Sequence, residues 1–158
     1  MNVWMSIEER NLISKYLHYD KIMLEWGSGG STLFFSKYVK KYISIEHDEE
    51  WFKKIQGSNA EMHLVKNNMT RTEPTQPEQF RDYIDYVDVL NEKYDLVLID
   101  GRARPHCAKK VIPYLKDDAV VFVHDFWARP EYHWVFEYYD EIASIKKGQT
   151  LIAMKQRC

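Results

Sequence analysis

Residues Lys21 to Asp48 read KIMLEWGSGGSTLFFSKYVKKYISIEHD, and their order decides the fold. An apolar strand, Ile22 to Trp26, carries an acid near its end at Glu25; a glycine-rich turn and a helix follow, and a second strand, Tyr42 to Glu46, ends in another acid. Gly27, Gly29 and Gly30 lack a Cβ, so the chain can turn sharply and let its amides approach a ligand, while Ser31 and Thr32 are placed to cap the helix. Glu46 lies 19 residues after Gly27, close to the roughly 20 expected of an acid that accepts hydrogen bonds from ribose hydroxyls. Glycine turn, helix and acid at this spacing form a nucleotide-cofactor half-site.

The remaining chain predicts more of the same layering. Strands are expected at Met62–Val65, Leu96–Asp100, Ala119–His124, Ile142–Lys146 and Leu151–Lys155, with helical patterns separating the first five of the seven. The runs Val97-Leu98-Ile99 and Val120-Val121-Phe122-Val123 are apolar without alternation, as strands covered on both faces require. The last two strands are separated by a few residues around Gly148, too short for a helical crossover, so they are expected to pair as an antiparallel hairpin. An opening helix is predicted over Ser6 to His18, with Ser6 as N-cap, Glu9 completing a capping box, and Ile7, Leu12, Ile13, Tyr16 and Leu17 on one face. Arg71 to Gln79, with two prolines, reads as a surface loop leading into a helix from Phe80 to Leu90.

Composition narrows the class. At 158 residues and 45% hydrophobic, the chain can bury one core and is read as a single domain over residues 1–158. No stretch approaches the roughly 18 to 20 apolar residues of a membrane span, and Glu8, Glu9 and Arg10 interrupt any signal-like start, so a soluble cytoplasmic protein is expected. Cys107 and Cys158 are too few for a disulfide framework or a zinc site. The net charge of −2 gives no general field toward a phosphate backbone, which argues against nucleic acid as partner.

Two features turn the half-site away from a dinucleotide. Thr32 stands where the dinucleotide fingerprint wants its third small residue, and Glu25 would repel a pyrophosphate while suiting a ligand with an ammonium and a sulfonium. Glu25, Gly27 and Gly29 form E-x-G-x-G, which resembles the first motif of class I S-adenosylmethionine-dependent methyltransferases. The resemblance extends along nearly the whole chain. It implies a three-layer Rossmann-like α/β fold with a seven-stranded, mostly parallel sheet, and S-adenosylmethionine as cofactor.

In open parallel sheets the ligand lies beyond the C-terminal strand ends. The expected cofactor contacts are therefore Glu25, Gly27, Ser28, Gly29, Gly30, Ser31 and Thr32 after the first strand, Glu46 and His47 after the second, Asn67, Asn68 and Met69 after the third, and Asp100 after the fourth. The two asparagines read equally well as turn residues. Methyl transfer to oxygen is a displacement in which the acceptor hydroxyl must also lose a proton, and Asp100, His124 and Asp125 are the candidate catalytic groups, with His124 or Asp125 as base. The same three could instead hold Mg²⁺ or Mn²⁺ to acidify the acceptor, as acids at these two strand ends do in some sugar O-methyltransferases of this fold, although His124 stands where a second acid is usual. Arg102, Arg104, Trp127, Arg129 and His133 are candidates for gripping a sugar or anionic acceptor, since aromatic faces stack on rings and arginine forks hold anions. Trp134 and Phe136 read as core.

No Asn or Asp followed by Pro-Pro-aromatic occurs after the fourth strand, where Asp100-Gly101-Arg102 stands instead, so amino-methylation of bases is disfavoured. The expectation is a methyltransferase acting on a hydroxyl of a sugar, glycan or other small molecule, binding the acceptor with its own loops or working as a module of a larger protein. A non-catalytic partner subunit with a cofactor fold is the main alternative, and a dinucleotide-dependent oxidoreductase is a weaker one.

Overall fold

The computed structural model describes residues 4–68 and 77–158. Seven strands, β1 (Ile22–Trp26), β2 (Lys41–Glu46), β3 (Glu61–Leu64), β4 (Tyr94–Ile99), β5 (Leu115–His124), β6 (Tyr139–Ile145) and β7 (Leu151–Gln156), form one sheet in the order β3-β2-β1-β4-β5-β7-β6. The pairs β3–β2, β2–β1, β1–β4 and β4–β5 are parallel, while β7 runs antiparallel to both β5 and β6. The expected hairpin is thus β6–β7, with β7 inserted beside β5.

Helices cover both faces because the parallel strands are apolar on both. Leu24, Trp26, Val97, Ile99, Val121 and Val123 pack with Tyr83, Ile84 and Val87 of α4 (Arg81–Leu90) and Cys107 and Ala108 of α5 (Arg104–Lys110). Met23, Leu96, Leu98, Val120 and Phe122 pack on the opposite face with Leu12 and Ile13 of α1 (Ile7–Ser14) and Phe35 of α2 (Gly30–Phe35). A fifth helix, α3 (Glu49–Lys54), follows β2. Each fully buried Leu, Ile, Val or Phe contributes about 1.5–3 kcal/mol to this packing.

Two predicted elements differ in detail. Ser6 does cap α1, accepting the Glu9 N–H at 3.1 Å, but the helix stops at Ser14 rather than His18, where His18 and Asp20 instead bond to each other in a turn. The predicted face is also rotated: Ile7 is 63% exposed and Glu9 is fully buried. The segment Pro130–Glu137 carrying Trp134 and Phe136 is a 3₁₀ helix, both side chains half-buried against the core. The proline-containing loop from Arg71 falls largely on residues outside the described ones. Among the described residues no helix is long and apolar enough to cross a membrane.

Register sets up the site. Trp26 pairs with both Ile45 and Ile99, and Ile99 with Val123, so the next residues along the four central strands, Gly27, Glu46, Asp100 and His124, fall in one row at the C-terminal edge. The strand order reverses between β1 and β4, and there Gly27 crosses the backbone of Asp100 so closely that an added Cβ would lie 2.6 Å from its carbonyl carbon and oxygen. Gly27 also has φ +93°, in the region that side chains disfavour. Gly27→Ala is therefore expected to cost roughly 2–4 kcal/mol, the sum of left-handed strain and a backbone clash, measured as a lowered midpoint in urea unfolding.

Candidate functional site

A cleft of about 520 Å³ opens over this row of strand ends. Gly27 to Ser31 line one wall, Glu46, His47, Asp48, Glu50, Trp51 and Lys54 a second, and Asp100, Gly101, Arg102, Arg104, His124 and Asp125 a third, with Trp4, Met5 and Gln149 at the mouth. The topology puts the cleft where open α/β sheets bind ligands, at the reversal of strand order.

The glycine turn is held from behind. Glu25 is fully buried on the α1 and α2 side of the sheet and does not line the cleft; its carboxylate accepts from the hydroxyls of Ser31, Thr32 and Ser44, the last at 2.7 Å. Thr32, at the position that broke the dinucleotide pattern, also accepts the Gly29 N–H at 3.0 Å and so caps α2. The acid expected beside the ligand thus positions the loop instead, because β1 alternation turns it to the face opposite Leu24 and Trp26. Burial raises its pKa to about 7 against the lowering effect of the hydroxyls.

Glu46 works on the other side of the turn. It accepts the N–H groups of Ser28 at 2.8 Å, His47 at 2.9 Å and Asp48 at 2.8 Å, which ties β1 to β2 while its carboxylate lines the cleft. Trp51, which sequence reading overlooked, closes over the turn by donating its ring N–H to the Ser28 carbonyl, and the exposed Trp4 lies 6.2 Å from it, ring to ring. Asn67 and Asn68 lie outside the cleft lining; the side chain of Asn68 is bonded to Asp82 at the start of α4, a distant partner and not the local turn bond that was the alternative. Met69 lies outside the described residues.

At the ends of β4 and β5, Asp100, His124 and Asp125 come together, with a ligand atom from each all within 4.8 Å of one another. Asp125 adopts φ +57°, a left-handed conformation that Asp tolerates, and its amide donates to the Thr150 carbonyl at 2.7 Å. Arg104 reaches across from α5: Nε donates to the Gly101 carbonyl at 2.9 Å, Nη1 to the His124 carbonyl at 2.7 Å and to Oδ2 of Asp125 at 3.3 Å, and Nη2 lies 3.7 Å from Oδ1 of Asp100. His124 Nδ1 faces Asp100 Oδ1 at 3.0 Å, and Nε2 faces Oε2 of Glu9 at 2.7 Å. Burial opposes a charge on this ring, but the hydrogen bond and charge of Asp100, with Asp125 and Glu9, outweigh it and raise the pKa to about 9. Burial pushes the Glu9 carboxyl up as well, against the pull of His124.

A divalent ion does not fit this arrangement as it stands. A metal takes a neutral imidazole by a nitrogen lone pair, and both ring nitrogens here face carboxylates, while the guanidinium of Arg104 already lies against both aspartates.

The five expected acceptor residues separate. Arg102 and Arg104 line the cleft, whereas Trp127, Arg129 and His133 do not. After the left-handed turn at Asp125 the chain runs along the α5 layer, where Trp127 donates to Ser144 at 3.1 Å, His133 stacks on Phe126 with centroids 4.6 Å apart, and Arg129 lies over Tyr132. Glu9, Trp4 and Gln149 were missed. Trp4 had no periodic context, and Glu9 was absorbed into a capping box, a role its backbone N–H fills while its side chain turns inward.

Residues 24–126, more than half of the chain, match the family model described as a methyltransferase domain. The chain belongs to that family. Its donor is S-adenosylmethionine, and the cleft suits it: acids at Glu46, Asp48, Glu50, Asp100 and Asp125 outnumber the bases Lys54, Arg102, Arg104 and His124, as an ammonium and a sulfonium require and a pyrophosphate does not. The methyltransferase fold is shared with a methyltransferase-like protein from Silicibacter pomeroyi, at 23% identity, TM-score 0.67, and coverage of 98% of this chain and 88% of that one. It is shared too with a candidate caffeoyl-CoA O-methyltransferase from Staphylococcus aureus (15%, TM-score 0.68, 98% and 85%) and the N-methyltransferase NodS from Bradyrhizobium japonicum (10%, TM-score 0.63, 94% and 94%). No curated protein matches the chain in sequence.

The two raised values have one sign in stability. For Glu25 the contribution is complete below 4.5 and lost as pH rises through about 7; for His124 it is complete below 6.5 and lost through about 9. Glu25→Gln removes the first of these, so thermal melts from pH 5 to pH 8 should show the variant gaining steadily on the wild type. A difference that stays constant across that range would mean that Glu25 does not titrate there.

Proposed function

We propose that the chain is an O-methyltransferase that uses S-adenosylmethionine to methylate a hydroxyl of a sugar or glycan, with Asp125 as the base. The observation that carries this is the placement of Asp125: its carboxylate lines the same cleft as the glycine turn, beside Asp100, partly open to solvent and oriented by Arg104 at 3.3 Å.

S-adenosylmethionine supplies a methyl group on a sulfonium, a leaving group good enough that the transfer is a single displacement. The residues of the chain do the rest. Gly27 to Ser31 and Glu46 hold the donor, while Asp100 and Asp125 give the developing positive charge on the attacking hydroxyl an anionic environment. As the oxygen–methyl bond forms and the sulfur–methyl bond breaks, the hydroxyl proton passes to Asp125, which returns it to solvent. An aliphatic hydroxyl needs such assistance, and a carboxylate in the cleft is what supports a hydroxyl acceptor.

For the acceptor, the exposed ring of Trp4 (73%) offers a face for a pyranose, and Arg102 and Gln149 offer donors for its hydroxyls or for an acidic substituent. This revises the acceptor set from Trp127, Arg129 and His133. A net charge of −2 favours such a ligand over nucleic acid. A cytoplasmic setting agrees with two cysteines, Cys107 and Cys158, that are both free.

Incubation with S-adenosylmethionine and a panel of mono- and oligosaccharides, read as S-adenosylhomocysteine released, tests the assignment. Asp125→Asn should lower turnover by about 10²- to 10⁴-fold, the usual worth of a positioned base, with S-adenosylhomocysteine affinity unchanged within about threefold. Retained turnover, or an equal loss of affinity, would remove Asp125 from that role.

A further inference from the structure

Glu9 is the charged group at this centre that donor binding and proton removal leave without a task. Its side chain is wholly removed from solvent, one oxygen on His124 and the other, Oε1, without a hydrogen-bond partner among the described residues. Burying a carboxylate costs several kcal/mol unless a positive partner repays it, and α1 places this one against a single ring. The strand pattern explains the encounter: Val120, Phe122 and His124 alternate onto the face of β5 that α1 covers.

The imidazole of His124 therefore sits between two carboxylates, Glu9 at 2.7 Å and Asp100 at 3.0 Å. A carboxylate accepts and does not donate, so the contact with Asp100 takes one ring proton and the contact with Glu9 a second. If that second proton moves onto Glu9, the ring nitrogen accepts it back. In neither arrangement is a lone pair free to bind a metal or to take the acceptor proton. The remaining charged groups facing the ring are Asp125, 3.7 Å away, and Arg104, which touches the same Oδ2 of Asp125 and approaches the same Oδ1 of Asp100. The space between the two aspartates, where a divalent ion would be coordinated, is thus bordered by two cations belonging to the protein.

We infer that the His124 imidazolium, held between the carboxylates of Asp100 and Glu9, acts with Arg104 as the resident cation of this centre in place of a divalent metal ion, and that Glu9 is a positioning residue. The inference rests on the reading of Asp125 as the base, which it deepens: the two cations fix the orientation of Asp125, and the hydroxyl proton has no route to His124. The sequence left a metal among these acids as the alternative to a base; the buried acid on α1 changes the charge count.

Two measurements on the intact chain saturated with S-adenosylhomocysteine test it. In ¹⁵N-histidine spectra, assigned by the signal lost in His124→Asn, His124 should show both ring nitrogens protonated at pH 7.5 and up to about pH 9. Glu9→Gln should lower the pH at which the ring loses its second proton while leaving S-adenosylhomocysteine affinity within about threefold, a change that a merely structural role for Glu9 would not produce. In an electron paramagnetic resonance titration, Mn²⁺ should find no stoichiometric site below the millimolar range. A neutral His124 in the wild type, an unchanged ring in a folded Glu9→Gln, or one Mn²⁺ per chain lost in Asp125→Asn would each overturn the inference. Should Glu9→Gln not fold, the wild-type spectrum and the Mn²⁺ titration decide the matter alone. Neither readout needs an acceptor, so a failed sugar screen leaves this inference standing, and a neutral His124 overturns it without touching Asp125.

Discussion

The contact between Gly27 and the backbone of Asp100 is the constraint on which the site depends. With no Cβ at Gly27, β1 and β4 can keep their ladder bonds to the last residue, Asp100 donating its N–H to the Trp26 carbonyl at 2.8 Å, and the chain can still turn away between them. Everything functional is referenced to that crossing. Glu46 ties the turn to β2 from one side, Glu25 anchors its far end through three hydroxyls, and Tyr83 fills the space beneath Gly101, where a Cβ would come 2.1 Å from its hydroxyl.

Charge is organised around the same edge in two different ways. Glu25 is sequestered among neutral hydroxyls, so its proton is held by desolvation, whereas Glu9 is sequestered against a ring that can carry charge. Both acids are buried, yet the first stiffens the donor wall and the second sets the electrostatics of the acceptor wall. Arg104 joins the halves of the acceptor wall by spanning the ends of β4 and β5 with one planar group, which a lysine could not do.

The fold was legible because its signals are local. Unbroken apolar runs mark doubly covered strands, glycines mark the turn, and the short Gly148 connection marks the hairpin; the strand bounds shift by only a few residues. The row Gly27, Glu46, Asp100 and His124 was legible for the same reason, since strand ends in a parallel sheet converge by register. What could not be read were the partners chosen in three dimensions. The direction of the Glu25 side chain depends on which face α2 covers, the burial of Glu9 on a rotation of α1 that exposes Ile7, and the removal of Trp127, Arg129 and His133 from the cleft on one left-handed residue, Asp125. Trp4 and Gln149 enter the site only because the N-terminal segment and the β6–β7 turn end above it.

That last arrangement divides the cleft by genetic distance. The donor wall is encoded by one contiguous stretch from β1 through α3, while the mouth is assembled from Trp4 and Met5, the tip after β4, and Gln149 beside Gly148. Gly148, with φ +71° and open space around it, is the exposed tip of a connection whose last residue, Thr150, is buried and accepts the Asp125 N–H. Substitutions at the exposed Gln149 alter the outline presented to an incoming molecule and leave the donor wall untouched, so the scaffold can diversify its acceptors by drift at a single hairpin tip.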